Sequence, residues 1–274
     1  MPTPILDAWM QHPGQRFLAN EMFDSLRRWK GGPFSDSAQP LATTLEYMDR
    51  AGVQRGLLCA WWGPDGPMIT NDEVAAMCAA HPDRFVGVAA VDLTRPMAAV
   101  IELRRCVEEL GFRALRVVPW LWGLPPDDRR YYPLYAACCD LDIPFCTQVG
   151  HAGPLRASEP GRPIPYLDHV LLEFPDLRVV GGHVGVPWLG EVISLATKYP
   201  NFYIDTSAYT CARYPAELVE YLRGHGRRKV LFGSNHPFWP AVDCLAGFDA
   251  LGLDEPTAQA FLHDNAAAVF GLKD

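Results

Sequence analysis

Short apolar runs alternate with amphipathic stretches from one end of the chain to the other. Eight runs, at residues 4–8, 55–60, 85–91, 114–118, 144–147, 178–181, 202–205 and 230–232, have strand length and are bounded by Gly, Pro or polar residues. The segments between them carry helical spacing. Residues 41–51 place Leu41, Leu45 and Met48 on one face, and residues 96–110 open on Pro96 and stop at Gly111. Further helices are expected at 74–80 behind an Asn71 cap, and at 134–141, 166–174, 189–198, 215–223 and 242–251. Another is expected at 256–262 behind an Asp254 cap. A strand followed by a helix, repeated eight times, predicts a single-domain (β/α)8 TIM barrel over residues 1–274 rather than an open doubly wound sheet. No G-x-G-x-x-G follows the first strand, which removes the dinucleotide-binding fingerprint. The longest irregular stretch, residues 11–39, follows the first strand and is expected to lie over the C-terminal mouth as a lid.

In such a barrel the strand ends carry the chemistry. Side-chain alternation along the first strand puts Asp7, Trp9 and Gln11 on one face and His12 on the other. Arg116 sits on the fourth strand and is expected to point into the barrel, where it either holds a substrate carboxylate or pairs with Asp7 or Asp205. His151 and His183 each follow an apolar strand and a glycine, at successive strand ends. Imidazoles so placed can act as metal ligand, general acid or general base. His236 is a third catalytic candidate after the eighth strand, beside Asn235. His81, His169, His225 and His263 fall in or beside helices and are read as structural.

The tryptophans, at 9, 29, 61, 62, 120, 122, 188 and 239, all fall at strand ends or in the segments that follow them. Phe34, Tyr131, Tyr209 and Phe238 lie in the same kind of segment. Trp9, Trp61, Trp62, Trp120, Trp122 and Trp239 are therefore expected to wall a pocket for a flat aromatic substrate; otherwise the rings seal the barrel top or an oligomer interface.

Composition narrows the partners. A net charge of -8, with 24 basic and 32 acidic residues and no basic cluster, argues against a nucleic-acid surface. One local arginine could still bind a small anionic substrate. Eight cysteines contain no C-x-x-C pair, so they read as reduced, buried thiols of a cytoplasmic protein. No apolar run reaches the about 18 residues of a membrane span, and no leader pattern is expected.

Several segments together resemble one family. They are Ile5-Leu6-Asp7-Ala8, His151-Ala152-Gly153, Gly182-His183-Val184-Gly185, Tyr203-Ile204-Asp205-Thr206-Ser207 and Leu231-Phe232-Gly233-Ser234-Asn235-His236-Pro237. Asn265-Ala266-Ala267 with Val269-Phe270-Gly271 closes the series. In order and spacing the chain is similar to the amidohydrolase-related (amidohydrolase 2) family of aminocarboxymuconate-semialdehyde and resorcylate-type decarboxylases and lactone hydrolases. The resemblance implies a divalent metal held by an H-x-H pair on the first strand, the histidines after strands five and six, and an aspartate after strand eight. Here those positions read Trp9-x-Gln11, His151, His183 and Asn235. Indole and neutral amides are poor ligands, so at most a weakly bound zinc or manganese on His151 and His183 is expected.

Three readings follow. The first is a metal-independent hydrolase, decarboxylase or rearranging enzyme for an aromatic, lactone or polyketide-like compound, with His151 and His183 as acid and base. Gln11 and Asn235 would then bind a developing oxyanion. The second is a metal-dependent enzyme with an atypical site, and the third a non-catalytic barrel that binds aromatic ligands. The resemblance also implies a homodimer.

Overall fold

The computed structural model describes residues 4–30 and 38–273; Phe34 and most of the tip of the expected lid lie outside the described residues. Eight parallel strands form one sheet in sequence order: β1 (Ile5–Met10), β2 (Val53–Cys59), β3 (Phe85–Ala89), β4 (Ala114–Arg116), β5 (Phe145–Gln148), β6 (Val179–Gly182), β7 (Phe202–Asp205) and β8 (Val230–Leu231). Register partners such as Leu57 with Val86, Leu115 with Phe145, and Val179 with Phe202 run the ladder round the ring. The expected barrel is the fold, with helices in every crossover. An antiparallel hairpin, Trp61–Gly63 with Gly66–Ile69, follows β2 and was not expected; its apolar alternation is short and broken by Pro64 and Pro67.

Alternation explains the two-sided packing. Leu6, Leu57, Cys59, Val86, Val88, Ala114, Cys146, Val180 and Leu231 fill the barrel, joined by Ala266, Val269 and Phe270 of the closing helix region. The opposite parity, including Leu58, Phe85, Leu115, Phe145, Val179 and Ile204, packs outward on helix residues such as Val74, Leu103, Leu134 and Leu218. Helix boundaries follow local chemistry. Thr70, not Asn71, caps helix Asn71–Ala80: its hydroxyl accepts from Glu73 N–H at 3.1 Å, and the Glu73 carboxylate accepts from Thr70 N–H at 2.8 Å. Asn71 turns inward and brackets Ala90 through its N–H and C=O, both at 3.0 Å. Asp254 caps helix Glu255–Gln259 by accepting from Thr257 N–H at 2.9 Å. All eight cysteines are free thiols. Among the described residues no helix is long and apolar enough to cross a membrane.

The ring closes between β8 and β1. Ala8 N–H donates to Phe232 C=O at 3.0 Å, Asn235 N–H to Trp9 C=O at 2.7 Å, and Gln11 N–H to His236 C=O at 3.0 Å. Asp7 staples the same seam from the side chain. Its Oδ1 accepts from Ser234 N–H at 2.9 Å and Trp9 N–H at 3.1 Å, and its Oδ2 accepts from the Ser234 hydroxyl. The strand register shifts between Asp7 and Met10, so Ala8 and Trp9 both join the inner cluster and the expected common face of Asp7, Trp9 and Gln11 is broken.

Burial pushes the Asp7 carboxyl up to about 7, against the lowering effect of its hydrogen bonds. Burial raises Asp205 to about 6 in the same way. An acid raised in the folded state binds its proton more tightly folded than unfolded. Its contribution is therefore full below its unfolded value near 3.8 and is lost as pH rises to about 7. Urea unfolding across pH 4 to 8 should show this decline in the wild-type protein and a shallower one in Asp7→Asn; parallel profiles would refute the assignment.

Candidate active site

A cavity of about 600 Å³ opens at the C-terminal end of the barrel. Its walls are largely aromatic: Trp61, Trp120, Tyr209, Phe238 and Trp239, with Phe23 and Trp29 contributed by the segment after β1. That segment forms the short helices Gln15–Leu18, Glu21–Phe23 and Asp24–Lys30, and Ser25 hydroxyl anchors it by donating to Gly153 C=O at 2.9 Å. Four of the eight tryptophans thus line the cavity. Trp62 and Trp122 pack half-buried against the outer core instead, Trp188 starts a helix, and Trp9 is fully buried and does not line the cavity, so the expectation of a common mouth-facing set is corrected. Tyr131 is also core, packed on Phe145.

His151, His183 and Asn235 all face this cavity. His183 has φ 71° and Asn235 φ 75°, both left-handed, so sharp turns off β6 and β8 aim them inward. His183 Nδ1 lies 2.7 Å from Ser207 Oγ, and Ser207 N–H donates to Asp205 Oδ1 at 2.6 Å. Burial, then the charges of Arg116 and His151, pull the His183 pKa down to about 3, so its ring is neutral at ordinary pH. His151 is exposed, with Nδ1 at 3.1 Å from Val186 C=O. A carbonyl only accepts, so Nδ1 carries a hydrogen, and Nε2 is the ring nitrogen left for chemistry.

Several expected contacts move below the floor. Trp9 is fully buried, with its ring between the Arg116 guanidinium, 3.3 Å from the ring centroid, and the His183 ring, 4.9 Å away. A Cβ on Gly182 would meet the Trp9 ring at 2.5 Å, so only glycine leaves room for the indole. Arg116 does point into the barrel, but Trp9 separates it from the cavity, and its Nε and Nη1 have no hydrogen-bond partner. Asp205 is fully buried beside it and does not line the cavity either.

Gln11 is fully buried and its amide is committed. Nε2 donates to Asn235 Oδ1 at 3.0 Å and to His236 C=O, while Oε1 accepts from Trp61 Nε1 at 3.1 Å. His236 turns away from the cavity: its Nε2 lies 3.3 Å from Thr44 Oγ1, and its ring packs on Tyr47. The reason is that Gln11 and the seam bonds occupy the inner side of the β8 turn.

Gln148 and Arg213 are among the cavity residues to which the sequence reading gave no role. Gln148 Oε1 accepts from Trp120 Nε1 at 2.7 Å, and its Nε2 donates to His151 C=O at 3.1 Å, which fixes both neighbours. Arg213 is exposed, lines the cavity and has no ion pair among the described residues. A signal existed: a lone arginine in the segment after the seventh strand, on the catalytic side.

Residues 7–272 match the amidohydrolase family. The chain belongs to that family. The gamma-resorcylate decarboxylase of Rhodococcus jostii (strain RHA1) is 30% identical over 254 residues, covering 74% of this chain and 75% of that protein. An uncharacterized TIM-barrel protein from Bordetella bronchiseptica superposes with a TM-score of 0.85 at 27% identity, covering 98% of both chains. A dihydroxybenzoic acid decarboxylase from Polaromonas, solved with bound manganese and 2-nitroresorcinol, superposes with a TM-score of 0.75 at 20% identity, covering 98% of this chain and 97% of that one.

The donor set of this amidohydrolase can be weighed against such a metal. Trp9 offers no ligand atom, both Gln11 amide atoms are spent, and Asn235 Oδ1 already accepts from Gln11. Among the described residues no group of three or more His, Cys, Asp or Glu could hold a metal ion. Two imidazoles without an anion do not fit a tightly held divalent cation. Replacing the fully buried indole should be costly for this barrel. Trp9→Ala is expected to lower stability by roughly 3–5 kcal/mol, read as a fall in urea midpoint; a change under about 1 kcal/mol would show that Trp9 does not fill the floor.

Proposed function

We propose that this amidohydrolase is a carboxy-lyase for a small aromatic acid, working through His151 and His183 without a divalent metal. The carrying observation is that two imidazoles of unlike environment face one aromatic-walled space with a free guanidinium at its edge. Relatives that decarboxylate resorcylate support the substrate class.

Each residue has a part in that reaction. Arg213 draws the anionic acid toward the mouth. The aromatic walls take the ring and strip water from the carboxylate, which disfavours the charged acid relative to neutral carbon dioxide. Neutral His183 accepts a hydrogen bond at Nε2 from a ring hydroxyl, held in place through Nδ1 by Ser207. The bond between ring carbon and carboxylate breaks, its electron pair stays on the ring, and carbon dioxide leaves. His151, open to solvent, takes up a proton from water at Nε2 and passes it to the ring carbon, which restores the Nδ1–H form of the imidazole.

The manganese in the Polaromonas enzyme favours one competing reading, a metal-assisted reaction on His151 and His183. A chelator separates the two. Turnover of 2,6-dihydroxybenzoate, followed by ring absorbance, is expected to survive dialysis against EDTA and to be unchanged by added manganese. Loss with EDTA and recovery with manganese would overturn metal independence. His151→Ala and His183→Ala are each expected to lower kcat by about 100-fold or more. Arg213→Gln should raise KM by roughly tenfold with kcat nearly unchanged, since it acts in binding. Full activity in both histidine variants would refute the acid–base assignment.

A further inference from the structure

A second cleft, of about 580 Å³, lies at the opposite end of the barrel, over the N-terminal ends of β2, β3 and β4. Arg55 enters it from the start of β2, Arg113 from the residue before β4, and Lys273 from the end of the chain. No aspartate or glutamate is among its described lining residues. None of the three cations has an ion pair among the described residues, and Arg55 Nε is buried with no hydrogen-bond partner. Neighbouring arginines behave differently: Arg84 is paired with Asp49 at 2.7 Å, and Arg105 with Glu102 at 2.8 Å. Phe85, Leu110 and Leu272 give the cleft an apolar side.

We propose that this cleft is a binding site for a small polyanion of the phosphate or pyrophosphate class, separate from the catalytic cavity. Three like charges lining one concavity repel one another and focus a positive potential there, in a protein whose net charge is -8. A ligand with several anionic oxygens relieves that repulsion. It supplies acceptors for two forked guanidiniums and an ammonium. It also gives the buried Arg55 Nε–H the partner that the chain withholds. A monocarboxylate would satisfy one guanidinium and leave the other two cations without an anionic partner.

A structural role competes with this. Helices Asn71–Ala80 and Pro96–Glu108 both end beside the cleft, and cations favour helix C-termini. That role predicts lower stability in the variants and no ligand.

Calorimetric titration of the intact protein with sodium pyrophosphate distinguishes the two. Saturable binding at one site per chain is expected, weakening with added salt. Arg113→Gln and Arg55→Gln should each weaken it by roughly tenfold or more, and Lys273→Gln by less. Arg213→Gln, at the other end of the barrel, should leave it unchanged. Arg113 and Lys273 are exposed, so their variants remain informative if half-buried Arg55 proves necessary for folding. Absence of saturable binding would overturn the proposal. So would binding that survives Arg113→Gln, or that is lost in Arg213→Gln.

Discussion

A parallel sheet becomes a barrel only when its last strand finds its first, and here that seam is short. β8 spans only Val230–Leu231, so closure falls to the chain that follows it. Phe232, Asn235 and His236 meet Ala8, Trp9 and Gln11 through backbone bonds, and Asp7 adds its side chain at Ser234. Every group in the seam is buried, so each bond must be made. The left-handed turn at Asn235 is one consequence, because the chain must double back to bring Asn235 N–H onto Trp9 C=O. The inward aim of Asn235 and the outward aim of His236 are others.

The seam also divides the barrel into levels. Trp9 lies in it in contact with both the Arg116 guanidinium and the His183 ring, and of Trp9, Arg116, Asp205 and His183 the cavity is lined by His183 alone. The two imidazoles of the cavity therefore have unlike surroundings. His183 rests on the indole, half-buried and within reach of the Arg116 charge, and stays neutral. His151 is exposed on the β5 side, its ring held at Nδ1 by Val186 C=O. Two residues that look equivalent in sequence, each a histidine after a glycine at a strand end, acquire different surroundings from their depth and from the Arg116 charge.

Much of the frame was legible. Strand periodicity located all eight barrel strands, because a strand buried on both faces reads as a compact apolar run. The family resemblance holds across the chain, and His151 and His183 do share one cavity. What failed depended on geometry that no local pattern encodes. Alternation predicted a common face for Asp7, Trp9 and Gln11, but the register shift in β1 reset it. Arg116 was rightly turned inward, yet the sequence could not show that Trp9 would lie above it. His236 sits one residue after Asn235, and a single turn sent it to Thr44 instead. Tryptophan positions marked the catalytic end without telling wall from core, since both kinds of segment follow strands.

The two arginines show why burial, rather than charge, assigns a role. Arg116 has the stronger claim by position, inside the barrel and near the reacting groups, but it packs on an indole and its charge acts on the buried Asp205. Its field still reaches His183, where it opposes protonation. Arg213 has no such cover. It stands exposed at the cavity edge, where an entering anion can reach it while still partly hydrated. Charge beneath the cavity therefore tunes an imidazole, and in the proposed reaction charge at the rim recruits the acid. In the proposed decarboxylation this separation is favourable. An arginine clamped to the departing carboxylate would stabilise the reactant more than the transition state, in which that charge moves into the ring. A guanidinium at the entrance raises the local concentration of the acid and leaves the carboxylate itself among aromatic walls.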